Sequence, residues 1–129
     1  MYLVDTSAWI RHFSASDPFD LRGVVPPDER VLCLPVYQEI LQGIRDEAAF
    51  RKMRIALDAA VMVEDPMERA LFLEAAELYR LARRKGLTIR SSVDALIAAC
   101  AIRHNLPVLH HDRDFSLLAT VSQLNETSV

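Results

Sequence analysis

Three short runs of the sequence, Tyr2–Val4, Val31–Leu34 and Pro107–Leu109, carry no charge and show no polar alternation. A strand with one face in water alternates apolar and polar residues, whereas an unbroken apolar run suits a strand covered on both faces. Between these runs the spacing becomes helical. Asp5-Thr6-Ser7 opens a helix through about Phe13, with Trp9, Ile10 and Phe13 on one face. Pro35 suits a first helical position, and Val36, Ile40, Leu41 and Ile44 follow at helical intervals. Residues 47–60 also read as helix, with Phe50, Met53, Ile55 and Leu57 as candidates for burial, and residues 61–63 as a short extended piece. Asp65, Pro66 and Glu68 have the spacing of an N-cap, N1 and N3. The helix they open runs to Arg83-Arg84-Lys85, with Gly86 as its stop. Leu87–Ile89 reads as a further short strand. Ser91 or Ser92 starts a helix through His104 that is apolar almost all round, which predicts a central, buried position. A last short helix begins at Asp112 and reaches Leu118, and residues 17–30, with Pro18, Gly23, Pro26 and Pro27, read as a loop with one short turn of helix. Strands alternating with helices in this way predict an α/β domain with a mostly parallel sheet covered on both faces.

The 129 residues match one domain, 1–129, whose core needs no disulfide or structural metal. Cys33 and Cys100 are too few for a disulfide framework or a cysteine zinc site and read as small buried residues. No run approaches the roughly 18 apolar residues of a membrane span, and the start lacks a signal-peptide pattern. The expectation is a cytoplasmic protein with no membrane partner. Fifteen Lys+Arg against eighteen Asp+Glu give a net charge of −3, which by itself argues against binding phosphate backbones.

Ligands of open α/β sheets bind at the carboxyl ends of the strands. Asp5 directly follows the first strand, Glu39 stands in the helix after the second, Asp94 in the first turn of the apolar helix, and Asp112 just past the 107–109 strand. Each acid also has a plain structural reading. Asp5 and Asp112 suit N-caps, Ser91-x-x-Asp94 resembles a capping box, and Glu39 suits a solvated helix face. Capping alone explains neither why Asp94 opens an otherwise apolar helix nor why all four acids collect at one edge. Four close carboxylates repel unless a cation neutralises them. An all-oxygen set selects Mg²⁺ or Mn²⁺, ions that bind substrate phosphate and activate water. With these four acids set aside, the rest of the chain has a net charge of +1, so overall acidity does not exclude a nucleic-acid substrate.

Val4-Asp5-Thr6-Ser7-Ala8-Trp9, the Glu39 helix after Leu34-Pro35-Val36, Ser92-Val93-Asp94-Ala95-Leu96-Ile97-Ala98-Ala99 and Leu109-His110-His111-Asp112-Arg113-Asp114-Phe115 together resemble PIN-domain nucleases, in the family order and over nearly the whole chain. The length resembles the VapC-type toxins of bacterial toxin–antitoxin pairs. The resemblance implies a PIN-like three-layer α/β/α fold and a metal-dependent endoribonuclease, with RNA as substrate, a protein antitoxin as partner and a homodimer as assembly. It implies that Asp5 and Asp94 are the closest ligands of Mg²⁺ or Mn²⁺, that Asp112 completes the set, and that Glu39 positions or deprotonates the attacking water. Thr6 would orient Asp5 through its hydroxyl, and Asp114 is a candidate fifth acid beside its reading as a surface helix residue. The family's threonine or serine two residues before the fourth acid is replaced here by His110. His110 and His111 could touch phosphate or water, or lie at the rim. Trp9 and Phe13 read as core, with an apolar groove for the antitoxin as the alternative.

Two other classes remain. A phosphotransfer domain would want an Asp where Ser7 stands, or a lysine after the last strand, whereas Lys52 and Lys85 both precede it. A non-catalytic or RNA-processing PIN-like domain, binding RNA or protein without toxin activity, would be expected to have lost one of the acids, and all four are present.

Overall fold

The computed structural model describes residues 1–14, 16 and 19–129. The apolar runs become the interior of one sheet. Strands β1 (Tyr2–Val4), β2 (Arg30–Cys33), β3 (Val61–Val63), β4 (Val108–His110) and β5 (Glu126–Ser128) lie in the order β3-β2-β1-β4-β5, all parallel. Leu3, Val4, Leu32, Cys33, Val108 and Leu109 have no solvent exposure, as strands covered on both faces require.

Helices α1 (Thr6–Phe13), α2 (Leu34–Gln42) and α3 (Glu47–Asp58) fill the crossovers from β1 to β2 to β3, and α1 packs on α2 and α2 on α3. Helices α4 (Arg69–Arg84), α5 (Ser92–Arg103) and α6 (Arg113–Ala119) fill the return to β4 and β5, and α5 packs between α4 and α6. Right-handed crossovers put the first set on one face of the sheet and the second on the other. The three-layer α/β/α expectation is met. The chain leaves β1 towards β2 and returns to its other side at β4, so the order reverses at β1, which opens a crevice at the carboxyl ends of β1 and β4.

Helix α5 is the buried central helix, with Ile97, Ala98, Cys100 and Ala101 at 4% exposure or less. Gly86 stops α4 at φ +79°, and the Leu87 N–H reaches back to the Ala82 carbonyl (3.0 Å), closing the helix end. In α3, Leu57 is buried while Ile55 is 73% exposed.

Several expectations are corrected. Leu87–Ile89 is not a strand: Leu87 finishes the end of α4, and the N–H groups of Arg90 and Ser91 go to the Asp114 carboxylate rather than to a ladder. The fifth strand is Glu126–Ser128, a polar edge segment without the apolar run that marks the others. Helix α4 starts at Arg69, not at Asp65-Pro66, because Glu64 turns to a positive φ of 54° and its carboxylate holds Arg103 (3.3 Å) and His104 (2.9 Å) at the end of α5. Pro35 is the second helical residue of α2. The irregular stretch carries two single-turn 3-10 helices, Leu21–Gly23 and Pro27–Glu29, and its first two residues, Asp17 and Pro18, lie outside the described residues.

Candidate active site

The Asp5 N–H continues the β1–β4 ladder to the Leu109 carbonyl (2.9 Å), which puts this residue at the carboxyl edge of the central strand. Asp5 caps α1: its Oδ2 accepts from the Ser7 N–H (2.9 Å) and from the Ser7 hydroxyl. The same Ser7 Oγ accepts from the His111 N–H (2.9 Å), tying the end of β1 to the end of β4. The Thr6 hydroxyl does not hold Asp5. It donates to Glu39 Oε1 (3.1 Å) and joins α1 to α2. At the first position of the helix, the Thr6 hydroxyl reaches the neighbouring helix, while Ser7, at the second, turns back onto the cap.

Asp112 caps α6, and its Oδ1 accepts from the Asp114 N–H (2.9 Å). The cap readings of Asp5 and Asp112 are thus both true, and capping is what aims these carboxylates at the edge. Asp94 behaves otherwise. Ser91 makes no side-chain cap bond and no capping box forms. Asp94 is 7% exposed, and its Oδ2 has no hydrogen-bond donor among the described residues. Asp5, Thr6, Ser7, Glu39, Asp94 and Asp112 line one cleft of about 250 Å³.

Asp114 is not a surface residue; it is 1% exposed. Its Oδ2 accepts from the N–H groups of Arg90 (2.9 Å) and Ser91 (3.1 Å), so it clasps the start of α5 from α6. Its Oδ1 has no hydrogen-bond donor among the described residues and meets Arg90 Nε at 3.7 Å. Carboxylate oxygens of Asp94, Asp112 and Asp114 lie within 4.8 Å of one another. Asp114 therefore completes a close three-acid group, and Asp5 lines the same cleft as Asp94 and Asp112. Arg90 Nη2 stands 3.5 Å from Asp112 Oδ1 at the rim. Sequence reasoning assigned no role to Ser7 or Arg90. Ser7 is legible in hindsight as the N2 residue of an Asp cap, whereas Arg90 meets acids more than twenty positions away and leaves no local signal.

Burial raises the Asp94 carboxyl first, the charges of Asp5 and Asp112 and the contact with Asp114 add to it, and together they push its pKa up to about 8. Asp5 is raised by burial against the lowering effect of its Ser7 bonds, and Asp112 adds repulsion. Glu39 is raised by burial, partly offset by Thr6. Buried acceptors without donors and carboxyls that resist ionisation together form a site that wants a cation. An all-oxygen, anionic donor set fits a hard divalent ion.

His110 is buried at 1% exposure and does not reach the rim. His111 is exposed, and its Nδ1 donates to the Val129 carbonyl.

The family model of the PIN domain matches residues 2–121. The chain belongs to the PIN-domain family. It is 35% identical to VapC ribonuclease Mb1587 of Mycobacterium bovis, with 99% of this chain and 98% of that protein covered. It is 32% identical to ribonuclease VapC51 of Mycobacterium tuberculosis, over 94% and 87%. In fold it is similar to VapBC2 from Rickettsia felis bound to a DNA fragment from the promoter, with TM-score 0.75, 17% identity and 99% and 98% coverage.

Beside the acidic cleft of this PIN domain runs a larger apolar groove of about 630 Å³, lined by Trp9, Ile10, Phe13, Ile40, Ile44 and Met53 and reaching Glu39. Phe13, expected in the core, is 53% exposed on its wall, and Ile10 is 63% exposed. Trp9 beneath them is buried and stacks on Phe13 with ring centroids 6.0 Å apart. The apolar face of α1 is therefore only partly covered, Trp9 being buried while Ile10 and Phe13 are exposed. Among the described residues, no helix is long and apolar enough to cross a membrane.

The clasp by Asp114 makes a testable demand on this PIN domain. Asp114→Ala leaves two backbone N–H groups at the start of α5 without their acceptor, a loss of roughly 2–4 kcal/mol. Asp114→Asn keeps an acceptor oxygen there and should lose less than about half of that. Denaturant unfolding of both variants checks the order, and equal losses would assign the cost to something other than the clasp.

Proposed function

We propose that residues 1–129 are one nuclease domain that hydrolyses RNA phosphodiester bonds with Mg²⁺ or Mn²⁺, as the toxin of a toxin–antitoxin pair in the cytoplasm. One observation carries this reading: four carboxylates line a single cleft at the switch point of the sheet, and a buried oxygen of one of them, Asp94 Oδ2, has no donor among the described residues. The names of the VapC ribonuclease relatives agree with it.

In this reading Asp5, Asp94 and Asp112 hold the ion, and Asp114 supports them from behind. When bound, the ion supplies positive charge to the scissile phosphate and lowers the cost of ionising water. Glu39 does the proton work. Thr6 fixes its Oε1, so the other oxygen receives the proton of the attacking water. Half-burial keeps that carboxyl above its ordinary proton affinity, which suits a general base working near neutrality. Ser7 holds Asp5 in place. Arg90, more than half exposed at the rim, gives up Asp112 to the ion and meets substrate phosphate.

The antitoxin covers the apolar groove. Ile10 and Phe13 present the kind of exposed apolar surface that marks a protein interface. The groove shares Ile10 and Glu39 with the acidic cleft, so a segment bound there also blocks access to the acids.

The test is incubation of total cellular RNA with the antitoxin-free protein in Mg²⁺ or Mn²⁺, with EDTA and with Asp5→Asn as controls. Discrete products that require both the metal and Asp5 are expected. Cleavage that survives EDTA or Asp5→Asn overturns the site, and no cleavage by a protein shown to bind Mn²⁺ favours a binding role.

A further inference from the structure

His110 occupies the last position of β4, with its ring packed on Phe115 at 5.1 Å between centroids. It is buried and both ring nitrogens are engaged. Nε2 faces Glu126 Oε2 on the neighbouring strand β5, and the Ser116 hydroxyl donates to the same oxygen at 3.3 Å. An ionised carboxylate only accepts, so Nε2 carries the proton. Nδ1 faces the Asp112 backbone N–H at 3.1 Å. A backbone N–H only donates, so Nδ1 is the acceptor. The two neighbours assign the tautomer from opposite sides.

We propose that His110 and Glu126 are a positioning pair that sets the backbone of Asp112, and through it the Asp112 carboxylate, in the acidic cleft. Glu126 fixes the ring's proton on Nε2, which leaves the Nδ1 lone pair for Asp112. With its N–H held by His110 and its Oδ1 held by the Asp114 N–H, Asp112 is anchored at both ends. The bend between β4 and α6 is thereby fixed before any ion arrives. The strand that carries Glu126 is the polar edge strand, which this contact gives a reason to be polar. Neither side chain lines the cleft, so the pair acts only through Asp112. The step from Asp112 to metal binding rests on the nuclease reading above.

Two amides separate the two halves of the contact. His110→Asn places an acceptor oxygen near the Nδ1 position and gives up Glu126. His110→Gln reaches the Nε2 position, keeps Glu126 and gives up Asp112. The first readout is hydrogen exchange of the Asp112 amide in the metal-free protein, which does not depend on activity. Exchange is expected to speed up at least tenfold in H110Q and to stay near wild type in H110N. The second is Mn²⁺ affinity by calorimetry, expected to fall roughly 10–100-fold in H110Q and to stay within about fivefold in H110N. RNA cleavage should follow the same order through kcat, with KM changed less than about threefold. Melting midpoints of both variants are measured alongside, because a purely structural role would make affinity follow stability rather than the Asn/Gln choice. Unchanged Asp112 exchange in H110Q, or wild-type Mn²⁺ affinity in it, overturns the proposal. Failure of the wild-type protein to bind Mn²⁺ would instead sink the nuclease reading, and amide exchange alone would then decide whether the pair holds Asp112.

Discussion

Asp94→Asn is expected to remove RNA cleavage and, at the same time, to make the metal-free protein harder to melt. The loss of activity follows from taking a charged oxygen out of the proposed cation site. An ion held there would supply several kcal/mol of transition-state stabilisation, so cleavage should drop on the order of 10³-fold or more. The gain in stability follows from the same crowding. The Asp94 carboxyl is pushed from its ordinary value of 3.8 up to about 8, chiefly by burial and then by Asp5 and Asp112. A carboxyl raised in the folded state stabilises that state fully only below its unfolded value, and the contribution is lost as pH rises through the folded one. Metal-free wild type therefore loses stability between about pH 4 and 8, whereas the amide, which does not ionise, loses none through this position. The high effective dielectric found even at buried protein sites reduces the effect to about 1–2 kcal/mol, or roughly 3–8 °C in Tm at pH 8. The difference should shrink towards pH 4.5. Scanning calorimetry at both pH values checks it: equal midpoints at pH 8 would mean that neither burial nor the neighbouring acids penalise an ionised Asp94, and undiminished cleavage would remove Asp94 from the site.

Mn²⁺ binding should be strongly pH-dependent for the same reason. A carboxylate ligand must release its proton before it can hold an ion. Below a pKa of about 8 the ion competes with the proton on Asp94, and affinity falls about tenfold per pH unit for one displaced proton. Roughly 100-fold weaker binding at pH 6 than at pH 8 is expected. Calorimetry in buffers of different ionisation heat should show about one proton released per ion at pH 6–7. Flat affinity across this range, without proton release, would place the ion away from Asp94.

Function in this chain grows out of ordinary helix chemistry. Asp5 and Asp112 are caps, a role that costs a protein nothing and points a carboxylate at the strand edge. Asp94 is the departure, because it spends a buried position on an acid without a hydrogen-bond donor among the described residues on Oδ2. Asp114 resolves part of that conflict by giving one oxygen to backbone N–H groups and leaving the other towards the cluster.

The legible elements are those whose signal is local. Strands β1, β2 and β4 are unbroken apolar runs, α5 is apolar all round, and Gly86 stops α4 because its φ of +79° suits a residue without a side chain. Asp5, Glu39 and Asp112 could be placed at one edge from their positions after strands, since a parallel sheet sends every strand end the same way, whereas Asp94 follows no strand and is marked instead by opening an apolar helix. Strand β5 was not legible: Glu126-Thr127-Ser128 is polar and pairs as an edge only because β4 offers it a ladder. Leu87–Ile89 reads as a short strand in sequence and Ile89 is indeed buried, yet the N–H groups of the neighbouring Arg90 and Ser91 are claimed by Asp114, 24 residues from Arg90. Phe13 looked like core because helical spacing shows which face is apolar, not how much of that face the sheet covers.

The sequence by itself determined the α/β alternation, the parallel sheet, the four edge acids and, through resemblance, the PIN family. Burial periodicity and strand-end position are written along the chain and need no partner to be read. Only the tertiary structure decided that Asp114 is buried in the cluster, that the Ser7 hydroxyl rather than that of Thr6 holds Asp5, that His110 turns inward to Asp112 and Glu126, and that Phe13 faces an open groove. Each of those depends on a contact between residues distant in sequence, where the competing partners for one donor or one apolar face are settled by packing and not by spacing.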